Sequence, residues 1–495
     1  MDTQKQHTKS LIKNQLQEEY ELAMDKIFKV KKWVMLLFIA FCSTGVYYQT
    51  SILSILRDDI KMQYEITDMQ FSLIYTYSSI FQIVFTWITG LLNDYIGVEK
   101  LNIIYVFLTT LGLITFQIAQ QYDSYIGTII ASVFIAISLE TISVAQNTLT
   151  SYWFKRGSLS LSFSLIMFNL RVTEVISSNT VGPLYDVHDS LTLPLQVCIY
   201  VSLFSLFSTG VIYFIQKQRT AAQNKQIMIL QEQEEYQNTK LSFQAFHYKK
   251  KIDIKQISSL PISFQLICAI TCLGYSIFYP FTYQMESIFK QKFGVNKNNT
   301  GNLQSLMYTI SMASPLLGIL IDRVGKRLYL LAFGLFCGSL SFLILIILPS
   351  CEQSCLGPLY LPVILDGIYL CCLSSIVFSC LPLIVSKVQI STGYGVISSL
   401  KGIGMALFPL IISASYQKEN GENLALIVLL IFSICNLFIC VSLILYDRFK
   451  NNSILNEYQL KTKERYADQI LELETKKNQK NPEYESLQSN GSTII

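Results

Sequence analysis

Long apolar stretches alternate with short polar breaks along this chain. A bilayer core of about 30 Å needs roughly 20 apolar residues in a helix. Twelve stretches of that kind are expected, at 33–56, 69–92, 101–119, 124–150, 158–182, 194–216, 260–285, 300–321, 328–349, 357–385, 392–415 and 423–446. The first is too long for a cleaved signal peptide and follows a polar segment, so it reads as a span. Polar residues gather in three places: 1–32, 217–259 with its Gln/Glu run from Gln231 to Gln237, and 447–495. The pattern predicts an all-α membrane protein of twelve transmembrane helices. It divides into an N-terminal segment (1–32), a six-helix bundle (33–216), a central loop (217–259), a second six-helix bundle (260–446) and a tail (447–495).

Composition narrows the classes further. The 495 residues are 51% hydrophobic and 15% charged, with a mean hydropathy of +0.39. Soluble domains average about 25% charged residues, and a soluble fold could not hide this much apolar surface. The same numbers exclude disorder for most of the chain. Twelve Cys are too few for a disulfide scaffold, and a net charge of +4 gives no support for nucleic-acid binding. Lys and Arg set the orientation. With the N-terminus in the cytosol, cytosolic segments hold 30 basic residues and the opposite side six, so both termini and the central loop are expected to be cytosolic.

Two cytosolic loops repeat one pattern. After the second span the chain reads Gly90-Leu-Leu-Asn-Asp94-Tyr-Ile-Gly97, and after the eighth Gly318-Ile-Leu-Ile-Asp322-Arg323-Val-Gly325-Lys326-Arg327. Such a pair suits a gate. The first Gly lets a neighbouring helix approach closely, and the Asp can face a helix N-terminus or a basic partner. The last Gly makes the turn. Short cytosolic loops rich in Gly, Asp and Arg are the bland alternative, but the two copies fall at equivalent places in the two halves. The pair resembles the signature loop of the major facilitator superfamily, as does the six-plus-six plan. The resemblance implies two six-helix pseudo-repeats working by alternating access.

Charged groups inside spans are costly and are functional candidates. They are Glu140, Arg171, Glu174, Asp366 and Lys401, with Glu286 near the end of the seventh span. Arg171 and Glu174 share a helix face. Glu140 and Arg171 fall at similar depth on antiparallel neighbours. One carboxylate and one guanidinium suit a zwitterion, whose ammonium and carboxylate they would take. The alternative is a buried ion network of Glu140, Arg171 and Glu174 that only joins helices. Asp366 and Lys401 either line the second half's share of the site or pair with each other. Gln146 and Asn147 either line the site or hydrogen-bond between helices.

The run from Glu140 through Val144-Ala-Gln146-Asn147-Thr148 to Trp153-Phe154-Lys155, with Arg171, is similar to the lysosomal dipeptide transporter branch of that superfamily. Tyr279-Pro280-Phe281, Lys292-Phe293-Gly294 and Tyr394-Gly395 agree. The branch implies uniport of dipeptides out of lysosomes, with Glu140 and Arg171 reading the peptide termini and a glycosylated lysosomal accessory membrane protein as partner. Tyr47–Ser51 departs from the branch pattern, and Lys401 stands where the branch has an uncharged amide.

No enzyme is expected: three His are present, none beside a Cys or Asp in a span, and no phosphate-binding loop occurs. No cofactor or metal is expected. Gly402 and Gly404 read as packing glycines. Cys351 and Cys355 could be bridged in an oxidising lumen, and Asn298-Asn299-Thr300 is a glycosylation sequon. In the tail, Asn481-Pro482-Glu483-Tyr484 overlaps Tyr484-Glu485-Ser486-Leu487. Both resemble sorting signals read by clathrin adaptors, which favours a lysosomal or endosomal membrane over the plasma membrane. The expected function is transport of dipeptides or amino-acid-like zwitterions. One alternative is proton-coupled organic-anion transport, with Arg171 and Lys401 on the anion and Glu140 or Asp366 carrying the proton. Another is a non-transporting receptor or scaffold acting through the tail and central loop.

Overall fold

The computed structural model describes residues 30–154, 158–187, 190–236, 261–351, 355–385, 389–416, 421–450 and 453–456. Among these residues the secondary structure is helical, with no strand. In chain order the helices are α1 (Lys31–Phe41), α2 (Thr44–Tyr48), α3 (Thr50–Ile55), α4 (Arg57–Tyr64), α5 (Asp68–Ile96), α6 (Val98–Gln121), α7 (Tyr125–Trp153), α8 (Leu159–Asp186) and α9 (Thr192–Tyr236). The second half follows with α10 (Ile262–Phe293), α11 (Lys297–Ser311), α12 (Ser314–Val324), α13 (Arg327–Ile347), α14 (Tyr360–Ile384), α15 (Ile390–Tyr416) and α16 (Gly421–Lys450). Nine helical segments among the described residues are long and apolar enough to cross a membrane, and they match nine of the expected spans. The others are the broken first segment and two helices of 29 and 27 residues, α5 and α15. The chain is an all-α, multi-pass membrane protein.

Local chemistry marks the helix starts. Thr67 accepts from the Gln70 backbone N–H at 3.3 Å, and the Gln70 side chain accepts from the Thr67 N–H at 2.9 Å, a reciprocal cap for α5. Asn296 accepts from the Asn299 N–H at 2.9 Å and opens α11.

The first expected span is not continuous. It breaks at Cys42-Ser43 and again at Gln49. A broken helix in a membrane needs its freed backbone groups satisfied, and neighbouring side chains do this. Gln146 donates to the Ile39 carbonyl at 2.6 Å, Asn169 to Ala40 at 2.9 Å and Ser205 to Phe41 at 3.0 Å. The Gly45 N–H donates to the Ser205 hydroxyl at 2.9 Å, and Ser177 donates to the Tyr48 carbonyl. The eighth span is likewise split between α11 and α12. A further difference lies after the sixth: α9 stays helical to Tyr236, well into the expected central loop, whose remainder lies outside the described residues.

The two halves meet through α5 against α15, α7 against α15, and α8 against α12 and α14. One face carries both ends of the described residues. Lys31 donates to Gln218 at 3.0 Å, Trp153 donates to Gln216 at 2.9 Å, and the Lys326 N–H donates to the Asn456 carbonyl at 3.0 Å. It is called the termini face below. Near the opposite face Cys351 and Cys355 are disulfide-bonded, and their N–H groups donate to the Lys292 and Phe293 carbonyls at the end of α10.

Candidate functional site

Inside the molecule, the charged side chains of the spans form two cation–carboxylate pairs. Lys401 on α15 donates to Glu140 Oε1 on α7 at 2.6 Å, joining the two halves. Arg171 donates to Glu174 Oε2 at 2.6 Å within α8. Each cation also lies over a tyrosine ring of the second half: Lys401 Nζ is 5.3 Å from the Tyr275 centroid, and the Arg171 guanidinium 5.3 Å from that of Tyr308. Tyr279 links the pairs. Its hydroxyl lies within hydrogen-bonding reach of Arg171 and in the fields of Glu174 and Lys401, and its ring stacks on Tyr275 at 5.9 Å. Tyr47 faces the same group of charges from the first half.

The pairing differs from the alternative in which Glu140, Arg171 and Glu174 form one ion network. Glu140 is tied to Lys401 from the other half, because α7 and α15 pack together. Arg171 is tied to Glu174, as their three-residue spacing allows. Each pair keeps one polar atom without a hydrogen-bond partner among the described residues: Glu140 Oε2 and Arg171 Nε. Glu140 is 3% exposed and Arg171 2%. A buried charged group with an unused bonding position is expensive in an apolar surround; Asp366 Oδ1 on α14 is left in the same condition among the described residues.

The remaining candidates separate. Gln146 spends its amide on the break in the first span, donating to Ile39 and to Ser43 at 2.9 Å. Asn147 is buried beside it with its amide nitrogen unpartnered among the described residues. Asp366 does not meet Lys401. It accepts from Ser341 at 3.0 Å, between α14 and α13, because Lys401 faces the first half. Gly404 packs against Ser276 and Cys272 of α10. The side chains of Glu286 and Asn298, and the tail residues Asn481, Pro482, Tyr484 and Leu487, lie outside the described residues.

The two repeated loops lie on the termini face and act on opposite halves. Asp94 of α5 accepts from the Thr392 N–H at 2.9 Å and its hydroxyl at 2.6 Å, at the start of α15. Asp322 of α12 accepts from the N–H groups of Ser160 at 3.2 Å and Leu161 at 2.9 Å, at the start of α8. Both carboxylates therefore sit at the positive end of a helix belonging to the other half. Arg327 Nη2 is 3.6 Å from Asp322, and its Nε donates to Ser160 Oγ at 3.3 Å. Arg323 and Lys326 are exposed. A Cβ on Gly90 would lie 2.9 Å from the Ser391 carbonyl, and one on Gly318 2.8 Å from Leu161 Cα, so both glycines permit helix contacts across the halves. Gly97 and Gly325 turn the chain at φ +107° and +74°.

Tyr275 and Tyr308 escaped sequence reasoning. The four-residue spacing of Tyr275 and Tyr279 on one helix face was the available signal for the first; Tyr308 carried none.

The all-α membrane fold, the charge pair shared between the halves and the repeated Asp contacts at helix starts suit a membrane transporter. The Major Facilitator Superfamily model matches residues 34–409, and again 266–467, and the chain belongs to that family. It is similar to the lysosomal dipeptide transporter MFSD1 of Danio rerio, 24% identical over 85% of this chain and 88% of that protein. The Homo sapiens protein of the same name is 22% identical over 76% and 78%. Among solved structures, the human organic anion transporter MFSD10 (TETRAN) aligns with TM-score 0.62 at 14% identity, covering 83% of this chain and 99% of that one. A bacterial homologue of the iron transporter ferroportin in an outward-facing state aligns with TM-score 0.64 at 14% identity, covering 83% and 98%.

Proposed function

We propose that this transporter is a uniporter of dipeptides and related zwitterions in a lysosomal or endosomal membrane, with both termini cytosolic. The observation that carries this reading is the cluster between the halves: two opposite charges, each held by an internal partner and each with one unused bonding atom. The substrate's ammonium goes to Glu140 Oε2 and its carboxylate to Arg171 Nε. Tyr275, Tyr279 and Tyr308 supply ring faces along the peptide between them. The sharing of the site by both halves suits alternating access, in which one bundle rocks against the other. The Asp94 and Asp322 contacts then form the seal on the cytosolic side, and they must break for the substrate to leave there. The relatives named as lysosomal dipeptide transporters support the substrate class and the compartment. The excess of Lys and Arg supports the orientation. A glycosylated accessory membrane protein and clathrin adaptors at the tail are the partners this reading carries.

The test is a panel of neutral dipeptides added to purified protein, read as a thermal shift, because native-state ligands raise the melting temperature. Arg171→Ala and Glu140→Gln run beside the wild type, followed by flux into liposomes. Stabilisation of the wild type alone, with flux independent of a pH gradient, is the expected result. Stabilisation by organic anions only, with flux driven by the gradient, selects the proton-coupled alternative.

A further inference from the structure

Lys401 bears on which dipeptides bind. Its ammonium is 2.6 Å from Glu140, the same carboxylate that would read the substrate's ammonium. A substrate ammonium on Glu140 Oε2 therefore has a protein ammonium as its neighbour across one carboxylate. The four charges of the cluster, Glu140, Glu174, Arg171 and Lys401, sum to zero, so no excess negative charge draws in a further cation. Lys401 has three N–H donors, and the Glu140 bond uses one. A side chain on the first residue of a bound dipeptide starts from the carbon that carries the ammonium, so it lies next to Lys401.

Resting on the dipeptide reading, we infer that Lys401 is a specificity-determining residue: it selects dipeptides whose first residue is acidic and disfavours those whose first residue is basic. A carboxylate there takes a second charge-assisted bond from Lys401 and restores balance around Glu140. A second ammonium there meets Lys401 as a like charge at close range, in a surround where such contacts are costly.

The experiment measures binding of Ala-Ala, Glu-Ala and Lys-Ala at pH 7 by calorimetry, to wild type, Lys401→Gln and Lys401→Arg. The wild type should bind Glu-Ala roughly tenfold more tightly than Lys-Ala. Lys401→Gln should lose or reverse that preference, and Lys401→Arg should keep it. Equal or tighter binding of Lys-Ala by the wild type overturns the inference without any variant, as does an unchanged preference in a Lys401→Gln protein that still binds Ala-Ala. Failure of all three peptides on folded wild type instead overturns the dipeptide reading beneath it.

Discussion

Replacing Asp322 by Ala tests the proposed seal on the termini face quantitatively. The carboxylate accepts two backbone N–H groups at the start of α8, at 2.9 and 3.2 Å, and lies 3.6 Å from Arg327. The side chains of Asp322 and Arg327 are 7% and 5% exposed, so water compensates little. A hydrogen bond to a charged group contributes about 1.5–3 kcal/mol, and a carboxylate at a helix N-terminus adds about 0.3–1 kcal/mol. These terms share one group and do not add fully, so a total of about 3 kcal/mol is the working figure. Each 1.4 kcal/mol is a factor of ten, which shifts the seal toward its open form on the order of 100-fold. Hydrogen exchange reads this directly, because the Leu161 amide is one of the bonded groups. Its exchange should accelerate on the order of 100-fold in Asp322→Ala and less in Asp322→Asn, which keeps an acceptor. Amides in the middle of α13 should not change. Unaltered protection at Leu161 would refute the assignment of Asp322 as a fastener between the halves.

Other expectations follow from neighbouring contacts. Gly90→Val places a branched side chain where even a Cβ lies 2.9 Å from Ser391 and 3.1 Å from Gly395, so α5 and α15 must separate; transport should collapse while the protein stays folded, and normal flux would contradict this. Asn456, at the foot of the tail, accepts from the Leu328 N–H at 2.9 Å and donates to Asp447 at 3.2 Å; Asn456→Ala should cost about 1 kcal/mol as a lost cap, seen as a lower thermal midpoint. Lys292 is 2% exposed and donates to Leu345, Ile346 and Asn423 at 2.7, 3.1 and 2.7 Å; Lys292→Ala should cost about 3 kcal/mol by orphaning the last carbonyls of α13, and a midpoint equal to wild type would show those bonds to be idle.

Features governed by local pattern were readable in the chain. The apolar helices stood out because a bilayer demands their length, and the paired Gly-Asp-Gly loops because a repeat needs no knowledge of contacts. Arg171 and Glu174 share a face by spacing alone. What the chain concealed was non-local. Glu140 and Lys401 are 261 residues apart, and only the packing of α7 on α15 brings them together. The break near Cys42 was hidden for a related reason: its cause lies in Gln146, Asn169 and Ser205, polar residues of three other helices that satisfy the freed carbonyls. Gln146 could be read either way from the chain, as a site residue or as an interhelical bond, and its amide bonds go to that break. Asp94 and Asp322 were expected to face a helix N-terminus or a basic partner, but which of these, and in which half, required the fold.

If Glu140 and Arg171 receive the two ends of a zwitterion, chemically blocked peptides test each end separately. Binding of Ala-Ala, N-acetyl-Ala-Ala and Ala-Ala-amide would be measured on wild type, Glu140→Gln and Arg171→Ala. Wild type should prefer the free dipeptide over both blocked forms. Glu140→Gln should no longer distinguish the acetylated peptide, and Arg171→Ala should no longer distinguish the amide. A wild type indifferent to both blocking groups, or variants that keep both preferences, would rule out Glu140 and Arg171 as the groups that read the peptide termini.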